Sequence, residues 1–430
     1  MRETFTMNAT FNFVKDRAEN LSNEVTQICS KLISFNTVNP PGRVRECVEY
    51  IEAYFKSLGV GTEVYARDPE KPNLVARIPG KRPSRILYLC HTDVVTEGSL
   101  ESWTHDPFGG EVSEGKVWGR GATDMKGSCA SAMVAAKILL DVDERERAYT
   151  EFWFTADEEC GSSEGAKWLA ETGRFRGDVC IVGDSFDSTP RKPAIDVGCK
   201  GSMGLKVKVK GRTAHGSTPF YGDNAVDKLL KLLECGRRIS DFKLDVPPEL
   251  ESVIESSIRF ALDDPDLTEE QKAAIMKQYH YPTVSLNLIR GGEKSNVVPD
   301  YAEASLDIRL TPGVDFKAVK KRLESLVSSS GVRDYTLEWH VMKGYYESPS
   351  SKAVEKLSRA VEEALGVKPT LKLMWGGTDG YYTHVVSGIP SPAFGAGVKG
   401  MAHAPDEYVT IENLVMTAKV YALLPLIYDG

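Results

Sequence analysis

The chain has 430 residues, 41% of them hydrophobic, and a formal net charge of −8. That length exceeds what one core usually organises, so two domains are expected, and the acidic balance gives no electrostatic reason to expect nucleic acid or an anionic membrane as a partner. Eight cysteines are scattered without a CxxC pair and none lies beyond Cys235, which reads as buried free thiols and not as a disulfide framework.

The opening MRETFTMNATFNFVKD lacks the apolar core of a signal peptide, so a cytoplasmic location is expected. Amphipathic helices are predicted at NEVTQICSKLISF, VRECVEYIEAYFKSLG and CASAMVAAKILL, and buried strands at RILYLC, EFWFTA and VCIVG. Continuous apolar runs separated by helices predict an α/β catalytic domain with a mostly parallel sheet and helices on both faces, its first part at 1–198. From Cys199 the texture changes. LKVKVKGR alternates apolar and basic residues as a half-buried strand does, followed by helix DNAVDKLLKLLECG, strands TVSLNLIRGG and AEASLDIRL, helix FKAVKKRLESLVSSSG and strand YTLEWHVMKG. That order predicts a ferredoxin-like α+β domain inserted at 199–344, carrying an acidic helical decoration at about 248–281. Past 345 the apolar run SPAFGAG and the helix IENLVMTAKVYALLPLIY complete the first domain, to 430; the run VYALLPLIY is too short to span a bilayer and contains Pro425.

The chemistry gathers at strand ends. His91 and Asp93 end RILYLC, Glu158 and Glu159 end EFWFTA, and Asp184 ends VCIVG. In open parallel sheets ligands bind beyond the carboxyl ends of the strands, so these loops should meet at one crevice. Asp124, in GRGATDMKG, joins them from the mouth of a helix, where the dipole favours an acid. Carboxylates about 4 Å apart repel by several kcal/mol unless neutralised, and the loops that end RILYLC, EFWFTA and VCIVG contain no matching Lys or Arg. Divalent cations would supply the charge, and mixed imidazole and carboxylate donors suit zinc, with cobalt or manganese as alternatives. The spacing of His91 and Asp93 lets the acid orient the imidazole. Glu158 and Glu159 point apart on a continuing strand, which predicts one metal ligand and one proton-transfer group.

Rival readings have less behind them. GSSEG fits the G-x-S-x-G pattern with Ser163 as a serine-hydrolase nucleophile, but Ser163 sits behind two acids and leaves His91, Asp124 and Asp184 unexplained. GRGATD lacks the third glycine of a dinucleotide fingerprint, and GK[ST] is absent. His105, His280, His340 and His384 read as surface or satisfied core groups. A non-catalytic binding homologue is a further reading, opposed by the intact set of ionisable groups.

Taken together, LCHTDVV, WTHDPFGG, GRGATDMKG, the paired glutamates of TADEECGSSEG and the late MAHAPDEYV resemble the two-zinc amidohydrolases that include acetylornithine deacetylase, succinyl-diaminopimelate desuccinylase, aminoacylase and the glutamate carboxypeptidases. SFNTVNPPG is similar to the deacetylase and desuccinylase branch, and the similarity runs along nearly the whole chain. The resemblance implies one metal on His91 and Asp184, a second on Glu159 and His403, and Asp124 bridging both. It further implies Glu158 as general base, Asp93 as the partner of His91, and the inserted domain as a lid and dimerisation module. His215 in GRTAHGSTP would reach the neighbouring subunit's site to stabilise the oxyanion, making a homodimer necessary. Asn296, Arg309 and the loop residues Gly376, Gly377 and Thr378 would hold the substrate. The implied reaction is hydrolysis of an N-acyl amino acid, or of a dipeptide or other short peptide, by a metal-activated water. Two positions depart from the pattern: GDS at Asp184 stands where GEP is frequent, and Cys199 precedes KGS where the desuccinylases tend to carry arginine, which weakens a succinyl-diaminopimelate substrate.

Overall fold

The computed structural model describes residues 2–429, with side chains from Asn8 onward. The chain forms two compact units: Met1–Gly198 with Glu347–Met374 and Thr378–Gly430, and Cys199–Tyr346 with Trp375–Gly377. The return junction thus falls after Tyr346, against the expected 344.

The main sheet of the first unit has five strands in the order Gly61–Tyr65, Asn73–Ile78, Ala148–Thr155, Arg82–His91 and Val179–Val182. The last three run parallel, but the first two are added antiparallel. The sheet is therefore mixed and not mostly parallel. A short, helix-free connection joins Gly61–Tyr65 to Asn73–Ile78, and only an antiparallel pair can be closed that way.

Apart from the largely exposed Gly61–Tyr65, successive side chains of these strands alternate between two dry faces. Val75, Leu87, Leu89, Trp153 and Cys180 pack on Ala166, Leu169 and Phe175. On the other face Tyr88 stacks between Phe152 and Tyr421, with ring centroids 4.9 and 4.5 Å away, and Phe55 covers Phe154. Burial on both sides explains why the strands read as unbroken apolar runs. The helices Gly127–Leu140 and Ile411–Ile427 are buried almost all round for the same reason. Among the described residues, no helix is long and apolar enough to cross a membrane. The cysteines are free thiols, all buried except the exposed Cys160 and the partly covered Cys235.

The second unit is an antiparallel sheet in the order Thr283–Gly291, Tyr301–Leu310, Gly201–Lys210 and Tyr335–Met342. With the helices Ala225–Arg237 and Phe316–Ser328 it has the strand order of a split βαββαβ sandwich. Met203, Leu205, Val207 and Val209 are buried while the lysines between them face outward, as the period of two requires. The extra piece is the helix pair Glu251–Leu262 and Glu269–Lys277, the second opened by a Thr268/Gln271 capping box.

Candidate metal centre

His91 is the last residue of its strand and is in register with Thr155 at the end of the neighbouring one, while Asp184 lies just past Val182. Because the three strands are parallel, these carboxyl ends share one edge. Glu158 and Glu159 do not continue their strand, contrary to expectation. Asp157 adopts the left-handed conformation, φ 69°, and turns the chain into a short 3-10 turn, Glu158–Cys160.

Asp93 holds that turn. Its carboxylate accepts the backbone N–H of Glu158 at 3.1 Å and of Glu159 at 3.2 Å, together with Asn39 Nδ2 at 2.8 Å. The His91 ring is oriented instead by the Asp93 backbone carbonyl, 2.9 Å from Nδ1; the nearest carboxylate oxygen is 3.7 Å away. A carbonyl can only accept, so Nδ1 carries hydrogen and Nε2 is the atom presented to the cluster.

That Nε2 lies 3.0 Å from Asp124 Oδ1, and His403 Nε2 lies 3.1 Å from the other oxygen of Asp124 and 3.4 Å from Glu159 Oε2. The two oxygens of one acid thus face two different imidazoles. Potential donor atoms of His91, Asp124 and Glu159 all fall within 4.8 Å of one another. Two further carboxylate oxygens, Glu159 Oε1 and Asp184 Oδ1, are buried without a hydrogen-bond partner.

The electrostatics show a surplus of negative charge. Burial, reinforced by Asp379, Asp184 and Glu159, raises Glu158 well above the ordinary carboxylate range, and burial with the Asp124 charge does the same for Asp184. Glu159 is also raised by burial, and Asp379 is pushed up to about 7 by burial. Hydrogen bonds to Asp124 and Glu159 raise His403 to about 10. Burial opposes a charge on His91, yet the Asp124 bond and the surrounding acids outweigh it and raise its pKa well above the usual value. A lysine does approach the acidic trio, although none was expected in these loops: Lys71 binds Asp157 at 2.6 Å. That pair, with Asn39, Ser163 and Glu164 N, satisfies Asp157 but does not reach Glu159 Oε1 or Asp184 Oδ1, which stay without a partner. Imidazoles, clustered acids and orphaned buried oxygens form a donor set that fits divalent cations.

The remaining residues fall into separate places. His215, Asn296, Arg309, Gly376 and Gly377 belong to the second unit, whereas Thr378 belongs to the first. Within the second unit His215 and Asn296 are neighbours, since Gly216 N donates to Asn296 O at 2.7 Å. His215 is exposed, with Nδ1 2.7 Å from Ser217 Oγ, and Arg309 Nε is held by both oxygens of Asp307 at 3.0 Å. Thr378 is buried and its Oγ1 accepts Gly380 N. The hydroxyl of Ser163 donates to Asp157 at 2.9 Å, so an acid holds it and not a histidine, which speaks against the serine-nucleophile reading. His105, His280 and His384 each pair with a glutamate, respectively Glu111, Glu251 and Glu347.

Sequence reasoning passed over Asn39, Lys71, Arg120 and Glu407. Arg120 and Glu407 lie inside the quoted motifs GRGATD and PDEYV, so the signal was present as charge in an otherwise buried segment. Both side chains are inaccessible to solvent and paired with each other.

Comparison with known proteins follows the same lines. The profile described as "Peptidase family M20/M25/M40" matches residues 87–426. A succinyl-diaminopimelate desuccinylase from Xylella fastidiosa is 28% identical over 407 residues, covering 93% of this chain and 97% of its own length. Among solved structures, an M20 family metallo-carboxypeptidase from Sulfolobus solfataricus superposes with a TM-score of 0.78 at 21% identity, covering 94% of this chain and 99% of its own. A dinuclear metal-binding M20 peptidase from Bacillus subtilis gives a TM-score of 0.61 at 16% identity, covering 95% and 98%. With the family profile spanning most of its length, this chain belongs to peptidase family M20/M25/M40 and is a metallohydrolase of that family.

Proposed function

We propose that the chain is a two-cation deacylase that hydrolyses the amide bond of N-acyl amino acids, of the acetylornithine deacetylase and succinyl-diaminopimelate desuccinylase type. The observation that carries this reading is the division of Asp124 between two imidazoles, at 3.0 and 3.1 Å, beside the unpartnered oxygens of Glu159 and Asp184. His91 and Asp184 would hold one cation, Glu159 and His403 the other, and Asp124 both. Zinc suits these donors, with cobalt or manganese as substitutes. Such cations, when bound, polarise a carbonyl oxygen and lower the pKa of a water towards neutrality.

Glu158 is the proton carrier. His91 and His403 are engaged by Asp124 and Glu159, which leaves the Glu158 carboxyl for a different task. It takes the proton of the attacking water and returns it to the nitrogen of the leaving amine. Asp93 fixes the peptide amide from which that carboxyl projects. Asn296, Arg309, Gly376, Gly377 and Thr378 hold the substrate, Arg309 by pairing with its carboxylate. His215, supplied by the second copy of a homodimer whose inserted domains form the lid and the dimer contact, stabilises the oxyanion. The expected setting is the cytoplasm.

The test is a panel of acetyl, succinyl and longer acyl amino acids, with dipeptides and carboxypeptidase substrates alongside, assayed with zinc, cobalt and manganese. Deacylation should dominate and be abolished by a chelator. Faster dipeptide cleavage would move the reading to a peptidase, and turnover untouched by chelation would restore Ser163. Failure of every substrate with metal loaded would favour a binding protein. Glu158→Gln should retain both cations while kcat falls by about 10²- to 10⁴-fold.

A further inference from the structure

Burying a guanidinium and a carboxylate costs several kcal/mol of hydration per ion, and an apolar pair in the same space is often as stable or more so. Arg120 and Glu407 are nonetheless only 2% and 0% exposed and directly bonded. Their remaining side-chain hydrogen bonds go to the two segments that carry Asp124 and His403. Glu407 Oε1 accepts the N–H of Thr123 at 2.9 Å and of Asp124 itself at 3.0 Å. Arg120 Nη2 donates to the carbonyl of His403 at 3.3 Å and Nη1 to that of Ala404 at 3.2 Å, under the ring of Trp103. The backbone repeats the connection, with Gly119 N donating to Glu407 O at 2.7 Å.

Both segments take uncommon backbone conformations. His403 has φ 64°, a region that costs a residue with a side chain roughly 1–2 kcal/mol. Arg120 is flanked by Gly119 and Gly121 at φ 140° and 85°, and a Cβ on Gly121 would stand 2.5 Å from Val94 Cγ1. The other ligands have separate supports: His91 has the Asp93 carbonyl, and the segment of Asp184 has the Ser185–Asp196–Lys372 cluster.

We infer that the Arg120–Glu407 pair is a positioning device that sets the gap between Asp124 and His403, and thereby chiefly the affinity for the cation shared by Asp124, Glu159 and His403, with a much smaller effect on the one shared by Asp124, His91 and Asp184. This rests on the ligand assignment proposed above. Neither Arg120 nor Glu407 reaches the reacting atoms; each acts through the backbone of a ligand.

The experiment is equilibrium titration of the metal-free full-length protein with cobalt in a metal buffer, read by absorption and by elemental stoichiometry, with thermal unfolding of the metal-free form recorded alongside. His403→Ala and Asp184→Ala identify which ion is which. Glu407→Ala and the charge-neutral double variant Arg120→Met/Glu407→Gln should weaken the His403-dependent ion by about 10- to 100-fold while the other stays within threefold. Glu407→Gln alone keeps an acceptor for both amides and should lie between these and the wild type. Glu151→Gln, which removes a buried carboxylate's charge from its pairing with the part-exposed Arg77 and Arg85 in the same unit, should leave both affinities unchanged. Equal weakening of both ions, unchanged binding in the Glu407 variants, or the same loss in Glu151→Gln would overturn the inference while leaving the ligand assignment intact. A wild type that binds no cobalt would instead remove the assignment, and the inference with it.

Discussion

A single carboxylate, that of Asp93, organises the turn from which Glu158 and Glu159 project. It uses one oxygen for each glutamate N–H, at 3.1 and 3.2 Å. In Asp93→Asn one of those acceptors becomes a donor facing an N–H, and leaving a buried amide unsatisfied costs about 1–3 kcal/mol. The turn should relax, with kcat lowered about 10- to 100-fold and metal content retained, as steady-state kinetics and elemental analysis of one preparation will show. In the second unit Lys200 is buried, with Nζ bonded to Gln278 O at 2.6 Å and Oε1 at 3.2 Å. Burial, then the Arg309 charge, lowers it to about 7. The unfolded lysine titrates near 10.4, so between these values the unfolded chain binds more protons and stability climbs as pH rises. Below about 7 the full penalty of the buried ammonium is present. Lys200→Met should flatten the rise of Tm with pH across that window, as melting curves of both proteins from pH 6 to 10 will test.

Elements with a continuous or a periodic apolar pattern were legible from the residues, and those with neither were not. The two-sided burial of Arg82–His91, Ala148–Thr155 and Val179–Val182 makes them unbroken apolar runs, and the strict alternation of Gly201–Lys210 gives its wet face away. Gly61–Tyr65 is short and largely exposed, so nothing in GTEVY announces an antiparallel edge strand. The turn at Asp157 depends on one residue entering the left-handed region, which no period encodes. The His91 ring has a local acceptor, but it is a backbone carbonyl and not the carboxylate that the residue types suggest. The Arg120–Glu407 pair joins positions 287 apart, so the chain order gives no hint of it. The turn also relies on the helix Ala166–Glu171 behind it. A Cβ on Gly165 would sit 1.8 Å from the carbonyl oxygen of Ala156. Gly165→Ala must therefore displace the backbone that leads into Glu158. A loss of about 1–3 kcal/mol in stability is expected, together with a lower kcat, measurable by denaturant titration and kinetics.

For the molecule as a whole, the orphaned carboxylate oxygens of the acid cluster link stability to cation binding. A ligand present at 100 to 1,000 times its Kd stabilises the native state by about 3–4 kcal/mol, and each kcal/mol moves Tm by roughly 2–4 °C in domains of this order. Chelation should thus lower Tm by on the order of 10 °C and abolish turnover, and zinc should restore both. Scanning calorimetry with and without chelator checks the first, and a reactivation assay the second.

The route of the chain into and out of its inserted unit has a consequence of its own. The polypeptide departs after Gly198 and comes back at Glu347, whose N–H donates to the carbonyl of Val197 at 2.6 Å. Exit and entry are rungs of the same ladder, so the long excursion Cys199–Tyr346 begins and ends at one doorway, with only Trp375–Gly377 added from later in the chain. A longer or shorter insertion can be accommodated there without re-routing a strand of the host sheet. Changes of length within the inserted unit can then accumulate while the strand ends that carry His91, Glu159 and Asp184 keep their places.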